Sequence, residues 1–75
     1  RKVMTIKIFV NGKEELLENQ ISISELLRQK NVRQEIVTIE LNDKIINRKD
    51  FETIFLNEGD KVEMVYFMGG GRTNG

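Results

Sequence analysis

The sequence predicts a small α+β domain in which one helix packs on one face of a mixed β-sheet. Three observations lead to this prediction: an Asn-Gly dipeptide between two short strand-like segments, a single helix-capping pattern, and further alternating segments after the helix. The chain has 75 residues, which is enough for one modest hydrophobic core and therefore for one domain.

The N-terminal segment has the pattern of a β-hairpin. Ile6, Ile8 and Val10 alternate with other residues at the period of a strand. Asn11-Gly12 follows directly, and this dipeptide favours a two-residue type I′ turn because both turn positions require positive φ. We therefore expect a partner strand within residues 13–18.

The next segment carries a helix-start signal. In Ser22-Ile23-Ser24-Glu25, the Ser22 hydroxyl can accept from the Glu25 amide while the Glu25 carboxylate reaches back to the Ser22 amide, which is a capping box. Apolar residues then share one face at helical spacing: Ile23, Leu26 and Leu27. The pattern predicts a helix of about two turns that ends near Asn31 and needs a sheet to pack against.

The second half of the chain predicts three more strands. Residues 36–41 and 61–67 alternate, and a short strand over 44–47 follows a turn at Asn42-Asp43. Residues 48–55 show no clear period, and we expect three apolar residues there and just beyond to fill one end of the core: Phe51, Ile54 and Leu56. This order of elements is that of a β-grasp fold, with four to five strands in a mixed sheet. Parallel pairing of the first and last strands would close it.

Composition narrows the possible partners. Twelve basic residues balance twelve acidic ones, so net charge gives no reason to expect nucleic acid or an anionic membrane surface as a partner. No apolar run approaches the roughly 20 residues of a membrane span, and no signal-peptide pattern opens the chain. The expected location is the cytoplasm.

The sequence contains neither histidine nor cysteine. This removes the usual general base, the thiolate nucleophile and the common zinc ligands. The only serines, Ser22 and Ser24, have no histidine to activate them. We therefore expect no catalytic site, no metal and no bound cofactor. If the protein takes part in chemistry, it does so as a substrate or carrier.

Three glycines follow the last predicted strand directly. Glycine loses the most backbone entropy on ordering, but a run of it forms a thread without side chains that can enter a narrow active site. We predict a folded domain over residues 1–68 and a flexible glycine-rich tail over residues 69–75. Val65 and Phe67 should face away from the helix and, with Met68, form a partner-binding surface beside this tail, unless loops cover them.

An ordered set of motifs runs from Thr5 to Gly71: Asn11-Gly12, Ser22-x-x-Glu25-Leu26-Leu27, Val37-Thr38-Ile39-Glu40-Leu41-Asn42, Glu58-Gly59-Asp60-Lys61-Val62-Glu63 and Phe67-Met68-Gly69-Gly70-Gly71. This set resembles the ThiS family of thiamine-biosynthesis sulfur carriers, which belongs to the ubiquitin-like MoaD/ThiS proteins. No single motif is specific, and the resemblance depends on their order and on the glycine ending.

The resemblance implies a ubiquitin-like β-grasp fold and a defined chemistry. Gly71 would hold the reactive carboxylate, with Gly70 and Gly69 as its tether. An E1-like adenylyltransferase of the ThiF type would activate that carboxylate with ATP. Sulfur, supplied indirectly by a cysteine desulfurase, would convert it to a thiocarboxylate, and a thiazole synthase of the ThiG type would use the sulfur.

Several alternatives remain open at the level of sequence. Carriers in this family end at the diglycine, whereas this chain continues through residues 72–75. These residues are a cloning remnant, a precursor extension, or a sign that the chain does not work as a carrier. A carrier of the same fold could also serve molybdopterin or amino-acid synthesis, and a ubiquitin-like binding module would not need the tail.

Overall fold

A computed structural model describes residues 5–66, which form five strands, one α-helix and two short 3₁₀ turns. The elements in chain order are β1 (Ile6–Val10), β2 (Lys13–Leu17), α1 (Ile23–Gln29), a 3₁₀ turn (Gln34–Ile36), β3 (Val37–Leu41), β4 (Lys44–Ile46), a second 3₁₀ turn (Arg48–Asp50) and β5 (Lys61–Tyr66). The sheet order is β2-β1-β5-β3-β4. β1 and β5 are parallel and the other pairs are antiparallel, so the predicted β-grasp fold is confirmed.

Both hairpins turn on residues with positive φ. Asn11 has φ 51° and Gly12 has φ 84°, which confirms the predicted type of turn between β1 and β2. Asn42 and Asp43, with φ 53° and 72°, form a turn of the same kind between β3 and β4. Asparagine and aspartate tolerate this region better than other residues with a side chain, so the local sequence accounts for both turns.

The N-terminus of helix α1 has one of the two hydrogen bonds of the predicted capping box. The Ser22 hydroxyl accepts from the Glu25 amide at 3.1 Å. The predicted return bond from the Glu25 carboxylate is replaced by an ion pair, since that carboxylate lies 3.0 Å from Arg28 Nη1. Ser22 itself forms an isolated β-bridge with Phe55, which fixes the start of the helix from another part of the chain.

The helix ends close to the predicted position. Asn31 has φ 59°, its amide donates to Arg28 at 3.2 Å, and the Val32 amide donates to Leu27 at 2.9 Å. These two bonds satisfy carbonyls that the last helical turn leaves free. The predicted strand start at residue 36 is wrong by one residue: Ile36 closes a 3₁₀ turn by donating to Arg33, and pairing begins at Val37.

The segment between β4 and β5 closes one end of the core. Phe51 and Leu56 are fully buried and Ile54 is partly buried, which confirms the role predicted for these three residues. The Ser24 amide donates to the Phe51 carbonyl at 2.9 Å, and the Ile23 amide donates to the Ile54 carbonyl at 3.1 Å. The first amides of α1 are thereby occupied by the chain itself.

The core lies between α1 and one face of the sheet. Its buried hydrophobic residues are Ile6, Ile8, Val10, Leu17, Ile23, Leu26, Leu27, Val37, Ile39, Phe51, Leu56, Val62 and Met64. Lys30, the residue after the last helical one, forms a 2.7 Å ion pair with Glu15 of β2. The other face of the sheet is left uncovered within the described residues, as one helix on a five-stranded sheet requires.

Candidate functional site: the C-terminal end of β5

β5 is the central strand of the sheet, and its C-terminal end leads toward the predicted glycine tail. β3 pairs with it from Val62 to Tyr66. Within residues 5–66, the backbone of β1 pairs with β5 only at Lys61 and Val62, because β1 turns away at Asn11. The last part of β5 is therefore held by backbone pairing on the β3 side.

On the β1 side, the side chain of Asn11 supplies hydrogen bonds to β5 where the β1 backbone no longer pairs with it. The Met64 amide donates to Asn11 Oδ1 at 2.7 Å, and Asn11 Nδ2 donates to the Met64 carbonyl at 3.4 Å. The Asn11 amide also donates to the Val62 carbonyl at 2.9 Å. Asn11 was expected from sequence only as a turn residue. Its second role depends on a strand 53 positions away, and an asparagine at the first turn position is the only local hint.

The opposite end of β5 is held in a similar way by the second hairpin turn. The Asn42 amide donates to the Lys61 carbonyl at 2.8 Å, and the Lys61 amide donates to Asn42 Oδ1 at 2.9 Å. Asn42 Nδ2 also donates to Asp60 Oδ1 at 3.0 Å. One asparagine side chain thus contacts each end of the same strand, Asn42 from the β3 side and Asn11 from the β1 side.

The turn that precedes β5 is tied to β1. The Lys7 amide donates to Glu58 Oε1 at 2.9 Å, and the Gly59 amide donates to the Lys7 carbonyl at 2.7 Å. Gly59 has φ 86°, where a residue with a side chain would be strained. The Asn57 amide donates to Asp60 Oδ2 at 2.8 Å. The Glu58-Gly59-Asp60 motif therefore has a structural role, since it fixes where β5 begins.

The uncovered face of the sheet is partly apolar near the end of β5. Val65 is 50% exposed and lies opposite Thr38 of β3, so its predicted outward position is confirmed. Tyr66 belongs to the opposite face with Met64, where it is 40% exposed and its hydroxyl donates to the Met64 sulfur at 3.7 Å. On the same face as Val65, Glu63 lies directly opposite Glu40. Val65 is thus an accessible apolar side chain close to where the predicted tail starts.

The remaining predicted site residues lie outside the described residues: Phe67, Met68, Gly69, Gly70 and Gly71. The predicted boundary between a domain ending at residue 68 and a tail starting at residue 69 lies there too. Their roles remain predictions. The same applies to the binding role of Val65, of which the structure describes the exposure alone.

Residues 5–66 lack two further kinds of feature, a metal-binding cluster and a membrane-spanning helix. No group of three or more acidic side chains is arranged to hold a metal ion in this part of the chain. No helix there is long and apolar enough to cross a membrane.

Comparison with known proteins identifies the family. The sequence matches the ThiS family over residues 4–71, which is most of the chain. This chain belongs to the ThiS family. A crystal structure of the thiamine biosynthesis protein ThiS from Geobacter metallireducens is similar to it, with a TM-score of 0.75 and 39% identity, covering 88% of this chain and 100% of that one. The family and this neighbour support a sulfur-carrier role in thiamine biosynthesis.

Two relatives that match most of this chain have very different lengths. The uncharacterized protein ycf40 of Trieres chinensis is 35% identical, and the match covers 93% of this chain and 97% of that protein. A protein named thiazole synthase from Paramagnetospirillum magneticum is 32% identical over 88% of this chain, but the matched part is only 20% of its length. The chain thus spans about a fifth of that thiazole synthase.

Proposed function

We propose that this chain carries sulfur for the formation of the thiazole ring of thiamine, with the carboxylate of Gly71 as the carrying group. An E1-like adenylyltransferase of the ThiF type joins that carboxylate to AMP from ATP and releases pyrophosphate. The persulfide sulfur supplied through a cysteine desulfurase then displaces AMP and forms an acyl disulfide. A thiol, such as free cysteine, cleaves the S–S bond, which leaves a thiocarboxylate on the carrier and the thiol oxidised in a disulfide. A thiazole synthase of the ThiG type takes the sulfur from the thiocarboxylate.

This division of labour agrees with the composition of the chain. A free carboxylate is a poor electrophile, and an acyl-adenylate has a good leaving group. The enzyme that binds ATP supplies the phosphate-binding groups and the cysteine desulfurase supplies the sulfur, so the carrier needs neither histidine nor cysteine of its own, and it has neither. The chain acts as a protein cosubstrate in this scheme, and ATP is a cofactor of the partner only.

The observation that carries the proposal is the match to the ThiS family, which runs through the third glycine and stops at Gly71. The structure adds physical support, since β5 is the central strand of a rigid sheet and leads toward that glycine. The exposed side chain of Val65 on this strand is suited to contact a partner enzyme beside the tail.

The thiazole synthase relatives favour thiazole formation over the other sulfur pathways. In proteins of that name from Paramagnetospirillum magneticum and Magnetococcus marinus, a segment similar to this chain makes up 20% and 21% of the length. A carrier and the enzyme that uses its sulfur gain effective concentration when they share one polypeptide. We therefore propose a thiazole synthase as the enzyme that uses the sulfur carried by this chain.

The test is a loading assay followed by intact mass spectrometry. A chain that stops after Gly71 is incubated with a ThiF-type enzyme, magnesium, ATP, a cysteine desulfurase and cysteine. We expect a mass gain equal to the difference between one sulfur and one oxygen atom. A second incubation with a MoaD-specific adenylating enzyme measures the preference between pathways.

Two matched chains serve as controls. A chain that stops after Met68 lacks the glycines and should gain no sulfur. The 75-residue chain should gain none either, because its Gly71 carboxyl group is in a peptide bond to Arg72. Absence of the mass gain in the chain ending at Gly71, with an enzyme that loads its own carrier, would contradict the proposal.

A further inference from the structure

We infer that Asn11 is a positioning residue that fixes the direction in which β5 delivers the carrier tail. This inference rests on the proposed function. Within residues 5–66, the side chain of Asn11 forms its hydrogen bonds with the backbone of Met64. Its effect would be transmitted through Met64 and the end of β5.

The side chain of Asn11 replaces backbone that β1 no longer provides. In a parallel pair, every second residue of one strand directs its N–H and C=O groups toward its neighbour. Asp60 and Val62 bind the amides of Phe9 and Asn11 in this way. Met64 is the next residue in this series, but β1 has turned away by then. The carboxamide of Asn11 supplies both an acceptor and a donor to Met64 instead.

The left-handed backbone of Asn11 makes this contact possible. Its φ of 51° turns the main chain into the hairpin, which leaves the side chain directed at β5. The orientation of the carboxamide is set by chemistry, because the Met64 N–H can only donate and must therefore face Oδ1. Glycine would keep the turn and lose both bonds. Aspartate would keep the turn and the acceptor.

The consequence concerns the last residues of β5. With Asn11 in place, Met64 is hydrogen-bonded on its β1 side while the neighbouring residues Glu63 and Val65 pair with β3 on the other side. Without Asn11, the end of β5 is held from the β3 side alone. A tail that leaves from a strand held on one side samples more directions, so its terminal carboxylate meets an active site less often in a reactive geometry.

Asn42 provides a matched control within the same chain. It has the same residue type, a similar positive φ, and two side-chain hydrogen bonds, to the Lys61 amide and to Asp60. It holds Lys61 at the beginning of β5, whereas Asn11 holds Met64 near the other end of the strand. Asn11→Gly and Asn42→Gly should therefore lower the urea midpoint of unfolding by similar amounts. The two variants should differ in amide exchange at Met64 and in kcat for adenylation, because both depend on the C-terminal end of β5.

The first arm of the experiment measures amide hydrogen exchange by NMR in the 75-residue chain. Asn11→Gly should speed exchange at Met64 and leave Lys61 close to the parent. Asn42→Gly should do the reverse. Slow exchange at Met64 in Asn11→Gly would overturn the inference, because the side chain would then not be what holds that residue.

The second arm measures adenylation by the ThiF-type enzyme, using chains that stop after Gly71. A chain that ends at Gly71 keeps all of residues 5–66 and therefore every described strand and helix. We expect Asn11→Gly to lower kcat about 10-fold to 100-fold with little change in KM. Asn42→Gly should leave both constants near the parent values. Asn11→Asp should restore most of kcat, because it keeps the acceptor for the Met64 amide.

The outcomes separate this inference from the proposed function. If the parent chain is not adenylated, the proposed function fails and the inference fails with it. If the parent is adenylated and Asn11→Gly matches Asn42→Gly in both constants, the inference alone is wrong. If Asn11→Gly does not fold by circular dichroism, Asn11→Asp and Asn42→Asp decide. Asn11→Asp replaces the donor to the Met64 carbonyl with a charged oxygen and should show a smaller fall in kcat. Asn42→Asp places a second carboxylate against Asp60 at the other end of β5 and should leave kcat near the parent value, and equal kcat values for the two would overturn the inference.

Discussion

The two faces of the sheet are built from the same strands but obey different constraints. On the face that α1 covers, Ile8, Ile39 and Val62 are almost completely buried. On the opposite face, the same strands present Glu40, Glu63 and the half-exposed Val65. Period-two alternation assigns each residue to one face, so neighbouring residues in the chain experience very different environments. The covered face determines stability, and the uncovered face is free to serve a partner.

The pair Glu40 and Glu63 is an example of an arrangement that the uncovered face tolerates. These carboxylates lie directly opposite each other on β3 and β5, and within residues 5–66 neither forms an ion pair with a basic side chain. Like charges at directly opposite positions destabilise a sheet. Such an arrangement would be costly if a covering layer excluded water, whereas on the wet face solvent and salt reduce its cost.

The largest expected effect is on the covered face. Ile39→Ala should lower the free energy of unfolding by about 2–5 kcal/mol, because it removes a fully buried side chain and leaves a cavity. Ile45→Ala is the matched control, since Ile45 lies on the adjacent strand, faces solvent and is 69% exposed. Its loss should be about 0.5 kcal/mol or less. Urea denaturation measures both, and equal losses would show that the faces do not differ as described.

An intermediate effect on the free energy of unfolding is expected from repulsion between the carboxylates of Glu40 and Glu63. A double-mutant cycle with Glu40→Gln, Glu63→Gln and both together should give a repulsive coupling of about 0.2–1 kcal/mol at low ionic strength. The coupling should shrink as salt is added, since it is a surface charge interaction. The measurement is again urea denaturation. A coupling of zero in low salt would mean that the two side chains extend away from each other into solvent.

The smallest effect on stability is expected at Val65. Val65→Thr keeps the branched shape and should change the free energy of unfolding by about 0.5 kcal/mol or less. If this residue contacts the adenylating enzyme, KM for the chain ending at Gly71 should rise while kcat changes little. Leu16→Gln is the control, because Leu16 is also exposed but lies on the edge strand β2. Equal KM values for Val65→Thr and the parent would exclude Val65 from the binding surface.

Most of the fold could be predicted from the sequence because turns, helix caps and strand alternation are each determined by a few adjacent residues. The Asn11-Gly12 turn, the cap at Ser22 and the alternation that buries Val62 and Met64 each depend on a few adjacent residues, and all were confirmed. The motif order also predicted the family correctly. The partner surface was predicted in part: Val65 is exposed as expected, and its function remains to be tested.

The features that sequence did not predict are those that join distant segments. The carbonyls of Phe51 and Ile54 bind the first amides of α1, so residues 48–56 follow a path set by the helix and show no period of their own. The return bond of the capping box is absent from α1 because Glu25 pairs with Arg28. The contact of Asn11 with Met64 depends on the parallel pairing of the first and last strands. The order of the elements predicted that pairing, but no local pattern predicted the side-chain contact.

The central place of β5 also has a consequence for protein synthesis. The ribosome makes the N-terminus first, so both hairpins and the helix are translated before the strand that lies between the two hairpins. Isolated hairpins are at best marginally stable in water. A polypeptide released early would therefore lack the strand that completes the sheet and, with it, every glycine that follows. Translation would thus add the three glycines only to chains that already contain every strand of the described sheet.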